Sequence, residues 1–371
     1  MFKIRTNFIW IISILLFLCA GLSAKVTAPK VEMAILLDTS GSMEGLIEQA
    51  KTQLWKIVNE LALSKRDGET INLYVALYEY GKSTIPAKEG YLRMICPLTA
   101  DLDQISEELF ILQTNGGDEY CGQVIDSAIK SLNWSKSNDD LKLIFIAGNE
   151  PFTQGQFDYR DACKEAISKG IIVNTIFCGD FQEGINTDWK NGADLADGKY
   201  MNIDQNQQIV HINAPQDEEL LLLGEELNQT YLAYGSAGLN YKNRQEQQDK
   251  NARSVGAATL VERILTKSSA QYRNEAWDLV DAEKQGLVEL DELDEEYLPE
   301  DMKNMSKEER KVYIEEKAKE REEIQERINT LNEERRKYVA QQRTTLEDNT
   351  LDAAIINAIK EQAQKKNYIF E

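Results

Sequence analysis

The chain has 371 residues, 42% of them apolar and 28% charged, which is enough apolar sequence for one sizeable core and an accessory region. Its formal net charge at pH 7 is −21. Nucleic-acid phosphates repel a chain this acidic, so the charge argues against nucleic acid and favours cations or basic surfaces as partners.

The first 24 residues have the three parts of an export signal. Lys3 and Arg5 supply the positive end, an apolar stretch follows over 9–18, and small residues end at Ala24. We predict cleavage after Ala24 and an exported chain, periplasmic or extracellular. Two alternatives stay open. One is an uncleaved anchor, although the apolar stretch is shorter than the ~20 residues of a spanning helix. The other is a lipid anchor on Cys19, although a bulky residue precedes that cysteine.

The next feature is a short apolar run over 33–37, which predicts a strand that ends at Asp38. Residues two apart in an extended segment point the same way, so Asp38, Ser40 and Ser42 are expected to converge, while Gly41 permits the turn. The carboxyl edge of an open α/β sheet is where such folds bind ligands. One carboxylate and two hydroxyls suit Mg²⁺, with Mn²⁺ or Ca²⁺ as alternatives. The chain has a single histidine, which excludes a histidine-rich zinc site.

Strand and helix patterns alternate over the first two thirds of the chain, which predicts an α/β fold with a doubly wound, mostly parallel sheet. The predicted strands lie at 33–37, 71–80, 91–98, 141–146, 171–177 and 200–203. The predicted helices lie at 46–61, 102–112, 124–132, 159–168 and 218–231.

The segment from Asp38 to Leu54 resembles the first loop and first helix of a von Willebrand factor type A (VWA) domain. In that family the pattern Asp-x-Ser-x-Ser belongs to a metal-ion-dependent adhesion site (MIDAS), where a divalent cation keeps one position open for a carboxylate of a partner protein. The resemblance implies that residues 31–232 form such a domain, that Asp38, Ser40 and Ser42 are metal ligands, and that the partner offers an acidic side chain.

Two later loops depart from the family pattern. The second loop has no threonine in register, so Asp118, which follows a glycine pair, is the best replacement, with Glu119 in reserve and a helix cap at Asp118 as the alternative. The third loop has Gly148 where the family has an aspartate, so Asn149 or Glu150 would have to substitute. We take Glu150 as the ligand candidate. A degenerate scaffold that binds no metal is the alternative.

Four cysteines remain after the predicted signal. An exported chain permits disulfides, and the coarse map favours Cys96 with Cys121 and Cys163 with Cys178. Buried free thiols are the alternative, because no spacing here is diagnostic.

Residues 233–371 predict a mainly helical, acidic extension. A segment rich in Asn, Gln and charge over 235–256 is expected to connect elements, and helices are expected over 260–280, 307–342 and 353–359. The long helix has a narrow apolar seam that arginines interrupt. That seam fits a coiled-coil-like hairpin or self-association, or else a solvated helix with ion pairs between its own turns.

Three functions compete. The first is an exported adhesion or scaffold module that binds a partner carboxylate through the cation. The second is a magnesium-dependent phosphatase, because the motif at Asp38 also resembles the nucleophile loop of haloacid-dehalogenase-like phosphatases, and Asp180 and Asp188 faintly resemble their later acidic motif. The third is a metal-free structural subunit. We predict the first, and no enzyme activity.

Overall fold

The computed structural model describes residues 28–207, 212–342 and 350–370. The predicted signal segment 1–24 and Cys19 lie outside these ranges, as does the single histidine, His211. Within the described ranges, no helix combines the length and the apolar character needed to cross a membrane.

The structure contains one large sheet and one small sheet. The large sheet has the order β5-β4-β1-β6-β7-β8, with β5 antiparallel and the other strands parallel, and the small sheet has the order β3-β2-β9. The strands are β1 (Lys30–Asp38), β2 (Ser64–Arg66), β3 (Glu69–Thr70), β4 (Asn72–Tyr80), β5 (Leu92–Thr99), β6 (Leu141–Gly148), β7 (Ile171–Cys178), β8 (Tyr200–Ile203) and β9 (Tyr368–Phe370).

The helices surround the large sheet and continue beyond it. They are α1 (Glu44–Ala62), α2 (Leu102–Ile111), α3 (Cys121–Ser131), α4 (Tyr159–Ser168), α5 (Phe181–Asn186), α6 (Trp189–Asp194), α7 (Asp217–Asn228), α8 (Gly238–Val255), α9 (Ala257–Lys267), α10 (Leu279–Lys284), α11 (Lys307–Gln342) and α12 (Leu351–Gln364).

The four central strands of the large sheet, β1, β4, β6 and β7, are almost entirely buried on both faces. Met33 and Leu37 of β1 enter one core together with residues of α1, α2 and α12. Ala34 and Leu36 enter the opposite core together with residues of α3, α4 and α6. This two-sided burial is the arrangement expected of parallel sheets. It confirms the predicted doubly wound α/β fold with a helical region after it.

The four described cysteines are free, buried thiols. Cys96 and Cys178 lie in the core on one face of the sheet, whereas Cys121 and Cys163 lie in the core on the other face. Both predicted disulfides would therefore have to cross the sheet. The structure contains neither of them, and the alternative of buried free thiols is the observed state.

The segment over 235–256 was expected to connect elements, and that prediction is wrong. It forms the helix α8, which buries Gln245, Gln248 and Ala252. The Gln248 side-chain oxygen accepts a hydrogen bond from the Ser106 hydroxyl of α2 at 3.0 Å. Because two glutamines stand where apolar residues usually form the buried face, hydrophobic periodicity does not reveal this helix.

The helix predicted over 260–280 is in fact two helices. α9 ends at Lys267, where the hydroxyls of Ser268 and Ser269 donate to the carbonyl groups of Leu265 and Thr266 at 2.8 Å. These bonds compete with the next helical turn. The chain re-enters a helix at α10, whose N-cap residue Asp278 accepts from the Asp281 amide at 3.0 Å.

The apolar seam of α11 is filled within the chain. Ile324, Ile328 and Leu331 are buried in a core shared with α7 and α9. The arginines that interrupt the seam are buried as ion pairs, since Arg321 contacts Asp278 at 2.6 Å and Arg335 contacts Asp217 and Glu262. Self-association through this seam would therefore have to displace intramolecular contacts. The two arginines join α11 to its neighbours and do not face solvent.

A buried ionic cluster joins the helical region to the sheet domain. Arg263 of α9 contacts Asp103 of α2 at 2.6 Å and Asp249 of α8 at 2.5 Å, and its side chain is fully buried. Lys267 contacts Asp249 at 3.0 Å. Because α2 directly precedes the second loop of the predicted metal site, this cluster fixes the helix that leads into that loop.

The last helix returns to the sheet domain. Leu351, Ile355 and Ile359 of α12 are buried in the same core as α1 and β1. Gln362 and Asn174 of β7 exchange hydrogen bonds between their side-chain amides, at 2.6 and 3.1 Å. The chain then ends its described part in β9, which pairs with β2. The described residues after 350 therefore complete a core that begins at β1.

Candidate metal centre

The candidate site lies at the carboxyl edge of the large sheet, where β1 ends. Asp38 pairs with Tyr80 of β4, and Leu37 pairs with Ala147 of β6, so the loops that follow these three strands lie side by side. The loop before α3 joins them, because the Asn115 amide donates to the Thr39 carbonyl at 2.9 Å. This is the edge at which the sequence predicted a ligand site.

Asp38 is the fully buried centre of the site. Its Oδ1 accepts a hydrogen bond from the Ser40 amide at 2.7 Å, whereas its Oδ2 is buried without a hydrogen-bond partner. Gly81 makes room for the carboxylate, since a Cβ there would lie 2.7 Å from Asp38 Oδ1. The φ of Gly81 is +81°, a conformation that favours glycine.

The two serines of the motif converge as predicted. Their hydroxyl oxygens lie 3.3 Å apart, and Asn149 Nδ2 donates to Ser42 Oγ at 3.2 Å. Thr39 points elsewhere, because its single hydroxyl proton lies between two acceptors, Glu79 Oε2 at 3.2 Å and the Tyr80 carbonyl at 3.1 Å. Asn149 Oδ1 is buried without a partner. Asn149 thus holds Ser42 in place from the third loop.

Glu119, the reserve candidate, supplies the second carboxyl group of the site. Its side chain is buried in contact with the carboxyl of Asp38, and its Oε2 has no hydrogen-bond partner. Burial, followed by the neighbouring Asp38, raises the pKa of Glu119 to about 10. Burial also raises the pKa of Asp38. Two such groups in contact need either a shared proton or a cation between them.

The structure places the other two predicted ligands at the rim. Asp118 is exposed, and its Oδ2 accepts from the Tyr120 hydroxyl at 3.2 Å, so the backbone of this loop turns Glu119 and not Asp118 toward Asp38. Asp118 does not cap α3 either, because the N-cap residue is Tyr120. Glu150 is exposed, and its negative charge contributes to the raised pKa of both Asp38 and Glu119.

The missing aspartate of the third loop has a steric explanation. A Cβ at Gly148 would lie 2.4 Å from the Tyr80 hydroxyl and 3.1 Å from Asp38 Oδ2. The Tyr80 hydroxyl donates to the Ala147 carbonyl at 2.9 Å and is fully buried. Tyr80 therefore occupies the space that a side chain at 148 would need, so the change at 148 and the tyrosine on β4 belong together.

The donor set fits a hard divalent cation. Asp38 and Glu119 present two unpartnered carboxylate oxygens beside the hydroxyls of Ser40 and Ser42. No lysine or arginine of the described ranges forms an ion pair with either carboxylate; Lys82 and Arg93 both bind Glu79 instead. In the same ranges, no three His, Cys, Asp or Glu side chains surround one point. A cation here would therefore be Mg²⁺-like, held by few protein ligands and several waters.

The acidic residues that the phosphatase hypothesis needs lie in other roles. Asp180 caps α5 and accepts from the amides of Gln182 and Glu183. Asp188 precedes α6 in a left-handed conformation, and its charge acts on Tyr159. Neither residue has a described contact with Asp38.

The pH dependence of stability reports on the carboxyl pair. In metal-free folded protein, Glu119 stays protonated up to its pKa of about 10. In an unfolded chain, a glutamate loses this proton above its ordinary pKa of 4.5. The free energy of unfolding therefore falls as pH rises through this range, by at most about 1.4 kcal/mol per pH unit. In denaturant titrations with chelator at pH 6 and pH 9, we expect Glu119→Gln to lose less stability than the wild type. Equal losses in both proteins would contradict the proton-sharing pair.

Comparison with known proteins identifies the sheet domain. The sequence profile of the von Willebrand factor type A domain matches residues 32–203. Similar solved structures include the SpRpn10 VWA domain, 14% identical with a TM-score of 0.36 over 48% of this chain and 89% of that one. The hypothetical protein BatB from Bacteroides thetaiotaomicron is 16% identical with a TM-score of 0.36 over 59% of this chain and 99% of that one.

A third similar structure is proximal thread matrix protein 1 from the mussel byssus with a zinc-occupied MIDAS motif. It is 13% identical, with a TM-score of 0.34 over 47% of this chain and 42% of that one. No curated protein matches the chain. Residues 32–203 of the chain form a von Willebrand factor type A domain.

Proposed function

We propose that this chain is an exported protein-binding module, of adhesive or scaffolding type, that captures a carboxylate of a partner protein through a divalent cation. The observation that carries the proposal is the pair of buried, unpartnered carboxylate oxygens on Asp38 and Glu119. Burying two acids in contact is costly unless a cation or a proton lies between them. A VWA domain generally mediates protein–protein interaction, and its ligand surface is the one at which these acids lie.

The ligand set of the proposed site is Asp38, Ser40, Ser42 and Glu119. Four protein oxygens fall short of the roughly six that Mg²⁺ takes, so water or a partner carboxylate fills the remaining positions. Ser42 is exposed, so the cation would be open to a partner on that side. The bound cation supplies Lewis-acid attraction for an acidic side chain, while the buried carboxylates fix its position.

The test uses the full chain and a peptide array. Calorimetric titration with Mg²⁺, Mn²⁺ and Ca²⁺ measures metal binding, and the array compares random-flank peptides that carry a central aspartate with otherwise identical peptides that carry asparagine. We expect binding to the aspartate peptides only, and only with metal present. Equal binding to both peptide sets, or binding that persists in excess chelator, would contradict the proposal.

A metal-free scaffold is the second candidate, and the raised pKa of Glu119 favours it specifically. With a pKa of about 10, Glu119 holds a proton at neutral pH, so the carboxyl pair carries one negative charge instead of two without metal. The same calorimetric titration separates the two, because a scaffold of this kind gives no heat with any of the three ions.

A further inference from the structure

We propose that a cleft in the helical region binds an uncharged, hydroxyl-rich small molecule, namely a sugar. The cleft lies between the segment 268–275, α10 and α11, and its volume is about 880 Å³. Small-molecule sites in proteins commonly have volumes of about 300–1,000 Å³. This cleft is separate from the candidate metal centre, because the residues that line it all lie between Tyr231 and Gln325.

Three side chains at the cleft have polar atoms that the rest of the described chain leaves without a hydrogen bond. Tyr231 is 2% exposed and Asn274 is 4% exposed, yet neither the tyrosine hydroxyl nor the asparagine amide has a partner among those residues. Both residues line the cleft, so the little surface that each retains opens into it. Glu275 also lines the cleft; its Oε1 binds Arg273, and its Oε2 is buried without a partner. Because buried polar groups almost always form hydrogen bonds, these atoms indicate a ligand that completes them.

The surrounding contacts hold these groups in place. The ring of Tyr231 packs against Trp277 and Tyr272, with centroids 5.7 and 6.5 Å away, and the Arg321 guanidinium lies 4.4 Å from its centroid. The Asn274 carbonyl accepts hydrogen bonds from the two amides at 277 and 278, at 2.9 and 2.8 Å. The hydroxyl and the amide are therefore fixed before a ligand arrives, which lowers the entropic cost of binding.

The charges at the cleft favour an uncharged ligand. The two buried cations that line it are already paired, Lys267 with Asp249 at 3.0 Å and Arg321 with Asp278 at 2.6 Å. A charge on a ligand would therefore enter the cleft without a free counter-ion, and burying an unpaired charge is costly. The exposed charged residues at the edge of the cleft carry both signs, and water screens them; they are Glu283, Lys284, Glu315, Lys319 and Glu322.

The unpaired groups together match hydroxyl groups. The Tyr231 hydroxyl and the Asn274 amide both donate and accept hydrogen bonds, whereas the Glu275 carboxylate only accepts. A ligand hydroxyl donates and accepts as well, so a molecule with several hydroxyls can satisfy all three residues. Val280 and Ala318 add apolar surface to the same cleft, against which the C–H groups of a sugar ring can pack. The combination of hydroxyls with carbon-rich faces and no charge is that of a sugar.

The experiment compares sugars of similar shape and different charge. Full-length protein is titrated calorimetrically with glucose, galactose and mannose, and with the hexosamine and hexuronic acid that correspond to each. Excess chelator is present throughout, so the candidate metal centre does not contribute. We expect at least one of the three neutral hexoses to bind, about tenfold or more tightly than its cationic and anionic counterparts, because the buried cations of the cleft are already paired.

Two variants locate the binding site. Tyr231→Phe and Asn274→Ala should each weaken the affinity for the best sugar by about three- to tenfold, the range expected for the loss of one hydrogen bond. Thermal unfolding midpoints of both variants should equal that of the wild type, because neither deleted group bonds to the described protein. The matched control is Tyr241→Phe, which deletes a tyrosine hydroxyl on α8 away from the cleft and should leave the sugar affinity unchanged.

Three results would overturn the proposal. Absence of heat with all three neutral hexoses means that water alone completes the polar groups. Unchanged affinity in both Tyr231→Phe and Asn274→Ala means that the sugar binds elsewhere. Charged counterparts that bind as tightly as the neutral hexoses mean that the ligand class is wrong. All three results leave the proposed function at the metal centre standing, because the measurements are made without metal.

Discussion

Replacing Asp38 with asparagine is expected to weaken magnesium binding by at least about 100-fold. Loss of a residue that only orients a metal ligand typically costs 10–100-fold, so loss of the central ligand should cost no less. Asp38 is the fully buried carboxylate against which the second acid of the site, Glu119, is placed. Calorimetric titration of wild type and variant with Mg²⁺ measures the change directly.

The same substitution should not destabilise the metal-free protein. Asparagine has almost the shape of aspartate, and its amide can donate a hydrogen bond to Glu119, so the contact no longer depends on a shared proton. Thermal unfolding in excess chelator should therefore give an equal or higher midpoint for Asp38→Asn. If Asp38→Asn binds magnesium as tightly as the wild type, the metal does not bind at Asp38. If the variant unfolds in chelator, the prediction for the metal-free protein is wrong, and its loss of magnesium binding reflects unfolding.

The matched control is Asp161→Asn. It removes the same charge from the chain, but Asp161 lies on α4 with its side chain 70% exposed and paired only with Lys164. An exposed ion pair of this kind contributes little to the free energy of unfolding. We expect its magnesium affinity to stay within about twofold of the wild type, which separates a local ligand effect from the change in net charge.

The first loop of the site was predictable because its geometry is local. Asp38 follows the unbroken apolar run 33–37, and Ser40 and Ser42 follow at the spacing that lets side chains converge. The parallel order of strands also follows from the alternating pattern, and it places the later loops at the same edge. The apolar run, the serine spacing and the alternation of strands and helices all involve residues close together in sequence, so they can be recognised from one sequence.

The second loop was not predictable at the level of one residue. Asp118 and Glu119 are adjacent acids in a segment without regular structure, so no periodicity shows which of them points inward. The choice depends on contacts distant in sequence: a Cβ at Gly117 would lie 2.6 Å from the Gly81 carbonyl, and the Glu119 amide bonds to the Gln154 side chain. The exclusion of a side chain at position 148 by Tyr80 also depends on a contact between residues distant in sequence.

The helical region shows a second limit of sequence patterns. The pattern of 353–359 predicted a helix correctly, and the structure has one at α12. The pattern could not show which element its apolar face packs against, because apolar periodicity identifies a buried face but not the surface that covers it. That partner is α1 and the core of the sheet domain, so residues 351–364 lie far from residue 203 in sequence and next to the same sheet in space.

Removing residues 343–371 is therefore expected to prevent the sheet domain from folding stably. The deletion takes away Leu351, Ile355 and Ile359, which are at most 2% exposed in the main core. Burial of each such side chain stabilises a protein by roughly 1.5–3 kcal/mol, and a domain's whole stability is typically only ~5–15 kcal/mol. Circular dichroism and thermal unfolding of a chain that ends at 342 measure the effect. A deletion intended to test self-association of α11 would also remove α12, so its result would report mainly on folding.

Two isoleucine-to-alanine substitutions, one at a buried position and one at an exposed position, test the same packing without a deletion. Ile359→Ala should lower the free energy of unfolding by about 2–5 kcal/mol, as expected for a fully buried side chain. Ile369→Ala, ten residues later on β9 where the side chain is 55% exposed, should cost less than about 1 kcal/mol. Denaturant titration of both variants gives the two values under one set of conditions. Equal small losses would mean that α12 does not pack on the sheet domain in solution, and the truncated chain would then fold as the intact protein does.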